Sequence, residues 1–197
     1  MWPAMYNCTA VVLAVIFCAV AVKLTDDYLD IEYDIACHKF NLARYFGSGT
    51  VIYAMLFLAV AASFNATVSL MLFMASYAVG MFSDLNTRMP SGLLGWQESI
   101  LVIIVSVIIY GWQLSGFSLL IIFAVQCLDD CIDLRPDCDN VSGTRNLACR
   151  LGVVECGLLG IISVLAAWHI EDSLFLPVIF GIAVVYGVLF WLQEVKP

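Results

Sequence analysis

The sequence predicts an all-α fold: a polytopic transmembrane helical bundle of seven spans. Three observations lead there. First, 63% of the 197 residues are hydrophobic and only 12% are charged, about half the charged share of a soluble domain. Second, the mean hydropathy is +0.99, and apolar stretches that cross or nearly cross a ~30 Å hydrocarbon layer recur along the chain. Third, the Lys and Arg residues sort to one side of those stretches. Too little polar material is present to surface a soluble domain. A disordered chain is excluded by the same numbers, and a nucleic-acid binder by the net charge of −8.

The seven stretches are, in order, Met5–Leu24, Thr50–Phe64, Ala66–Ser83, Ile100–Trp112, Gly116–Leu128, Gly152–Trp168 and Leu174–Leu192. The second, fourth and fifth are short and are expected to continue into neighbouring residues, as through Asn41–Ser48 before the second. Turn formers mark the breaks at Asn65, at Pro90-Ser91-Gly92 and at Ser115-Gly116. Met1–Leu24 lacks the basic start and small-residue cleavage site of a signal peptide, so it reads as the first span. All seven belong to one transmembrane domain, 1–197.

The connections alternate. Residues 25–49, 84–99 and 129–151 are long and polar, whereas those around Asn65, around Ser115 and at 169–173 are tight. Lys23, Lys39, Arg44, Arg88, Arg135, Arg145, Arg150 and Lys196 all lie in, beside or after connections on one side when seven spans are counted. The positive-inside rule makes that side the cytoplasm, with the N-terminus outside and the C-terminus inside. Most cysteines then lie at the reducing face, which argues against a disulfide framework. The sequons at Asn7 and Asn65 abut the membrane and read as coincidental.

Ten of the 16 acidic residues crowd into two windows. One runs Asp26-Asp27-Tyr28-Leu29-Asp30-Ile31-Glu32-Tyr33-Asp34, the other Asp129-Asp130-Cys131-Ile132-Asp133-Leu134-Arg135-Pro136-Asp137 with Asp139 beyond. Both read D-D-x-x-D-x-x-x-D, 103 positions apart, each at the cytoplasmic end of an apolar span. The overall acidity is therefore local, because outside these windows acids and bases nearly balance. On a helix, Asp26, Asp27, Asp30 and Asp34 fall at roughly 0°, 100°, 40° and 80°, a single stripe. Asp129, Asp130 and Asp133 repeat it, and Pro136 is expected to end that helix ahead of Asp137.

Two carboxylates ~6 Å apart repel by roughly 3 kcal/mol at an effective dielectric of 20. Such a stripe calls for a counter-charge, and an all-oxygen, carboxylate-rich site suits a hard divalent ion. Mg2+ binds through one or two carboxylates plus substrate phosphates. Two such sites would hold a diphosphate through Mg2+ bridges. A merely solvated acidic loop explains one such motif but poorly explains two at equivalent topological positions.

Two aspartate-rich motifs on a membrane bundle resemble the UbiA superfamily of intramembrane prenyltransferases. That family carries N-D-x-x-D-x-x-x-D and, four spans later, a second such motif; here too four spans separate the copies. Its R-P-L-P-S-G stretch is similar to Arg44-Tyr45-Phe46-Gly47-Ser48-Gly49, and its G-x-R-T-L-A-x-x-L-G stretch to Gly143-Thr144-Arg145-Asn146-Leu147-Ala148-Cys149-Arg150-Leu151-Gly152. This chain departs in having seven spans where the family has nine. It has Asp26 and Asp129 for Asn, Asn146 for Thr, and lacks the prolines of the first stretch.

The resemblance implies that Asp27, Asp30 and Asp34 bind one Mg2+ and Asp130, Asp133 and Asp137 another, with Asp26 and Asp129 as further ligands. Among these, Asp27, Asp30, Asp130 and Asp133 would be catalytic. Lys39, Arg44, Arg88 and Arg145 are the cations available to an isoprenyl diphosphate, although each also serves as topogenic charge. The implied reaction is ionisation of the allylic C–O bond and transfer of the prenyl group to a lipophilic acceptor. Tyr28, Tyr33, Tyr110, Trp112 and Phe117 are candidate walls of the cavity, or members of interfacial belts and packing. His38 reads as a satisfied polar residue rather than a base, and Cys127, Cys131 and Cys138 as packing rather than a zinc site. Two other functions stand beside the transferase: a terpene cyclase of the same superfamily, which needs no acceptor, and a non-catalytic divalent-cation channel or carrier.

Overall fold

The computed structural model describes residues 7–36, 41–80, 85–132 and 146–195. All regular structure among them is helical, apart from one isolated bridge between Arg88 and Leu94. The helices are α1 (Cys8–Leu29), α2 (Ile31–Ala36), α3 (Ala43–Phe46), α4 (Thr50–Gly80), α5 (Gly95–Ile132), α6 (Leu147–Leu151), α7 (Val153–Ile170) and α8 (Asp172–Val195), with a short 3-10 turn at Gly47–Gly49. Five helical stretches are long and apolar enough to cross a membrane: Cys8–Leu29, Ala43–Gly80, Gly95–Ile132, Val153–Ile170 and Asp172–Leu192. The protein is thus a membrane-embedded, multi-pass helical protein.

Two of those stretches are 38 residues long, about 57 Å at 1.5 Å per residue and nearly twice the hydrocarbon thickness. The long helices within them, α4 and α5, each contain one residue with non-helical backbone. In α4 it is Asn65 (φ −157°, ψ 98°), where the sequence places a break. Its side chain accepts from the Val68 N–H at 3.0 Å, and its carbonyl accepts from the Ser69 hydroxyl at 2.8 Å. Asn65 therefore caps residues 66–80 as a helix start. In α5 it is Gly111 (φ 83°, ψ 164°), four residues before the expected Ser115-Gly116 break. The Ser106 and Ser115 hydroxyls lie 2.9 Å apart, whereas nine residues along a straight helix span about 13.5 Å. The chain therefore doubles back at Gly111, and Ser115 serves as a contact across the hairpin rather than as its turn.

Backbone near φ 83°, ψ 164° is open to glycine almost alone. Gly111→Ala is expected to destabilise the protein by about 1–3 kcal/mol, read as a lower thermal midpoint in detergent. Gly157→Ala is the control: a Cβ there meets nothing within 4 Å, and alanine favours a helix.

The fold divides into two compact units, Met1–Leu70 with Ser173–Pro197, and Met71–Asp172. In the first, α1 buries Val11, Ala14, Val15, Cys18, Ala21 and Leu24, a stripe at steps of three and four residues. Phe17 stacks on Phe57 and Phe64 at 6.0 and 5.8 Å, and the Cys18 thiol donates to the Ser69 carbonyl at 3.3 Å. Gly181 brings the α8 backbone against Val15 of α1. In the second unit, α5 buries Phe117, Ile121, Ala124 and Cys127. It meets α7 at Gly160, where a Cβ would stand 3.3 Å from that of Cys127. Cys127 and Cys156 pack with Ala148, Phe123, Cys131 and Leu147 in an apolar cluster. Helix α5 begins at Gly95, so the connection expected at 84–99 is shorter than the sequence suggests.

Candidate functional site

The buried stripe of α1 does not stop where the apolar residues stop. It steps from Ala21 and Leu24 onto Asp27, which is 1% exposed. Asp26, one position away, is turned outward with its side chain 61% exposed. The four carboxylates expected on one stripe therefore divide, because a step of about 100° carries Asp26 off the packed face. Asp30 ends α1 and α2 follows, with the Asp34 N–H still donating to the Asp30 carbonyl at 2.8 Å. Asp34 is buried like Asp27.

Burial of Asp27 is compensated by a chain segment that returns to it. Its Oδ2 accepts from the Leu42 N–H at 2.7 Å. Asn41 Nδ2 donates to the Asp27 carbonyl at 2.6 Å and to Asp34 Oδ2 at 2.7 Å. Lys23 Nζ stands 2.9 Å from Asp27 Oδ1 and 3.7 Å from Asp26 Oδ2. The carboxylate thus clasps the start of α3, and behind it Ala43 is fully buried. Hydrogen bonds to an ionised acceptor are worth about 1.5–3 kcal/mol, more than neutral ones.

The second motif is built in the same way. The α5 stripe steps from Ala124 and Cys127 onto Asp130, which is 7% exposed. Asp130 Oδ2 accepts from the Leu147 N–H at 2.9 Å, and Asn146 Nδ2 donates to the Asp130 carbonyl at 2.9 Å. Gln126 Nε2 donates to Asp130 Oδ1 at 3.1 Å, one turn back along the helix as Lys23 is from Asp27. Ala148 is buried behind the clasp. After each short helix a glycine with positive φ redirects the chain, Gly47 at 54° and Gly152 at 107°. One departure separates the copies: Asn146 Oδ1 accepts from the Cys149 N–H at 3.0 Å and caps α6, whereas no described residue donates to Asn41 Oδ1.

The sequence carried a signal for these clasps that motif reading passes over. Asn41-Leu42-Ala43 and Asn146-Leu147-Ala148 are the same triplet, beginning 14 residues after Asp27 and 16 after Asp130. A second overlooked residue is Glu98, buried near the start of α5. Its carboxylate accepts from the Tyr77 and Ser91 hydroxyls. It borders a cavity of about 370 Å3 lined by Phe73, Met74, Leu93 and Leu101. Its signal is a lone acid at the mouth of an apolar run.

The other expected site residues are distributed as follows. Asp129 is half-buried, and Arg44 and Arg88 are exposed, Arg88 in the loop bridged to Leu94. Phe117 is core, whereas Tyr28 and Trp112 are exposed and Tyr110 is half-buried. Lys39, Asp133, Asp137 and Arg145 lie outside the described residues, as do His38, Pro136 and Cys138. Among the described residues no three His, Cys, Asp or Glu side chains converge to hold a metal ion. The oxygens that remain at the first motif are of the kind Mg2+ takes, one or two carboxylates with further neutral or phosphate oxygen. Buried Asp27 Oδ1 accepts no hydrogen bond from the described residues and is met only by the Lys23 ammonium, as an ion pair at 2.9 Å.

Comparison with family models, with curated proteins and with solved structures finds no match to this chain.

Proposed function

We propose that this protein is a Mg2+-dependent intramembrane prenyltransferase of UbiA type. In this reading seven spans place both aspartate-rich motifs at the cytoplasmic face, with the N-terminus outside and the C-terminus inside. The observation that carries the reading is the duplication. Two D-D-x-x-D-x-x-x-D motifs each end a long apolar helix, and each sets its second aspartate in the same clasp. A chain this sparing of charge has little structural reason to build an acidic helix end twice.

Bound Mg2+ would supply charge neutralisation for diphosphate oxygens at the motifs, with Asp27, Asp30, Asp34, Asp130, Asp133 and Asp137 as its holders. Arg44 and Arg88, with Lys39 and Arg145, would add positive charge to the leaving group. The allylic C–O bond breaks heterolytically, and its electron pair leaves on the diphosphate. The allylic cation then loses its charge by bonding to a nucleophilic atom of a lipophilic acceptor, which releases a proton. The apolar bundle excludes water, which would otherwise quench the cation.

The test is to incubate membranes carrying the protein with Mg2+ and isoprenyl diphosphates of graded length, with and without quinone-type or lipid acceptors. Diphosphate release tied to a prenylated acceptor, and abolished by chelation of Mg2+, is the expected result. Hydrocarbon formed without acceptor would assign a terpene cyclase instead. No release at any chain length, together with Mg2+ flux in liposomes, would replace both enzymes with a carrier.

A further inference from the structure

We propose that Asn41 is itself a cation ligand of the first motif, through its side-chain carbonyl Oδ1 acting together with the Asp27 carboxylate. The proposal rests on the reading of that motif as a Mg2+ site and adds to it a residue that the aspartate pattern does not contain.

Asn41 is 1% exposed. A primary amide has two N–H donors and one carbonyl acceptor. Both donors are engaged, on the Asp27 carbonyl at 2.6 Å and on Asp34 Oδ2 at 2.7 Å. That fixes which end is which: flipped, the carbonyl would face two oxygen acceptors. Oδ1 therefore stays buried and accepts no hydrogen bond from the described residues. Asp27 Oδ1 is in the same condition, opposed at 2.9 Å by the Lys23 ammonium.

Asp27 thus presents a buried carboxylate oxygen held only by an ion pair, and Asn41 a buried amide oxygen to which no described residue donates. A native interior rarely leaves such groups unsatisfied without a ligand or function. A hard divalent ion takes carboxylate and amide oxygens together. It would take the place on Asp27 Oδ1 that the half-exposed Lys23 now holds.

The second motif supplies the contrast. Asn146 makes the same Nδ2 bond to its aspartate, but its Oδ1 is occupied by the Cys149 N–H at 3.0 Å. Asn41 and Asn146 are equivalent as clasps, yet Asn41 alone of the two retains a carbonyl for a cation.

Mn2+ titration of the full chain in detergent, followed by electron paramagnetic resonance, tests this without any turnover. Asn41→Leu should weaken the first site about 10–100-fold. Asn41→Asp keeps an oxygen at that position and should hold or raise the affinity, although it loses the amide clasp. Asn146→Leu should leave the first site unchanged. If Asn41→Leu and Asn41→Asp both lose the ion, Asn41 is only a clasp and the proposal is overturned. Should Asn41→Leu fail to fold, wild-type protein carrying 13C-amide asparagine decides the matter. A 13C coupling to bound Mn2+ that disappears in Asn41→Asp supports the ligand role, and no coupling overturns it. If the wild type binds Mn2+ and Asp27→Asn abolishes that binding while Asn41→Leu does not, only the role of Asn41 falls. If the wild type binds no Mn2+, the Mg2+ reading of the motif falls with it.

Discussion

Asp27→Asn will fold and lose activity, while Asp27→Ala will lose both. The two variants separate the clasp that Asp27 makes from the cation-holding role proposed for the same carboxylate. Oδ2 accepts from the Leu42 N–H at 2.7 Å, and the residue is 1% exposed. Asparagine keeps a carbonyl acceptor for that N–H and loses the charge and, with it, the ion pair to the half-exposed Lys23. Alanine leaves the Leu42 N–H without its acceptor, at a cost of about 1–3 kcal/mol, and opens a void at the foot of α1. A thermal midpoint in detergent should therefore fall clearly for Ala and only slightly for Asn. Diphosphate release should fall by about 10²-fold or more in both, because removing one group that stabilises developing charge costs that much or more. Asp130 makes the same clasp to Leu147 at 2.9 Å, so Asp130→Asn and Asp130→Ala should repeat the pattern. If Asp27→Asn kept full turnover, Asp27 would be a clasp and nothing more, and the cation would have to be held elsewhere in the motif.

Gly181→Val is expected to give the largest loss of stability among apolar substitutions in the first unit. A Cβ at Gly181 would stand 2.8 Å from Val15 Cγ1, 2.9 Å from Val15 Cβ and 3.3 Å from the Val12 carbonyl. Real Cβ atoms do not come that close, so α1 and α8 must separate. Even Gly181→Ala should cost about 1–3 kcal/mol as overpacking, and the two further methyls of Val more. Adding Val15→Ala removes the nearest contact and should recover part of the loss. Gly187→Ala, on the same helix, meets nothing within 4 Å and should be neutral or slightly stabilising. Because α1 carries Asp27 at its end, Gly181→Val should also reduce Mn2+ binding at the first motif, whereas Gly187→Ala should not. Equal midpoints for Gly181→Val and Gly187→Ala would refute the close approach of α1 and α8.

The break at Asn65 was legible because asparagine in an apolar run is a capping residue, and it caps here. The break at Gly111 was misplaced by four residues because Gly111 and Ser115-Gly116 carry similar turn chemistry. The choice between them rests on Ser106 meeting Ser115 across the hairpin, a contact absent from any local window. Separating Asp27 from Asp26 was equally out of reach, since lipid-facing and core-facing sides of α1 are both apolar. Only the packed stripe ending in Leu24 shows which aspartate turns inward.

Composition determined that this chain belongs in a membrane, with 63% hydrophobic residues, and its long unbroken apolar runs made the spans helices rather than the short alternating strands of a barrel. Spacing determined that two acidic helix ends exist and are copies of each other. The tertiary structure decided what each carboxylate oxygen does. Asp27 and Leu42 are 15 residues apart, Asp130 and Leu147 17, and whether they meet depends on the path by which the chain returns. That path also left Asn41 Oδ1 without a donor among the described residues, whereas Asn146 Oδ1 accepts from the Cys149 N–H of α6. Two identical triplets thus acquired different chemistry from the turn that follows each of them.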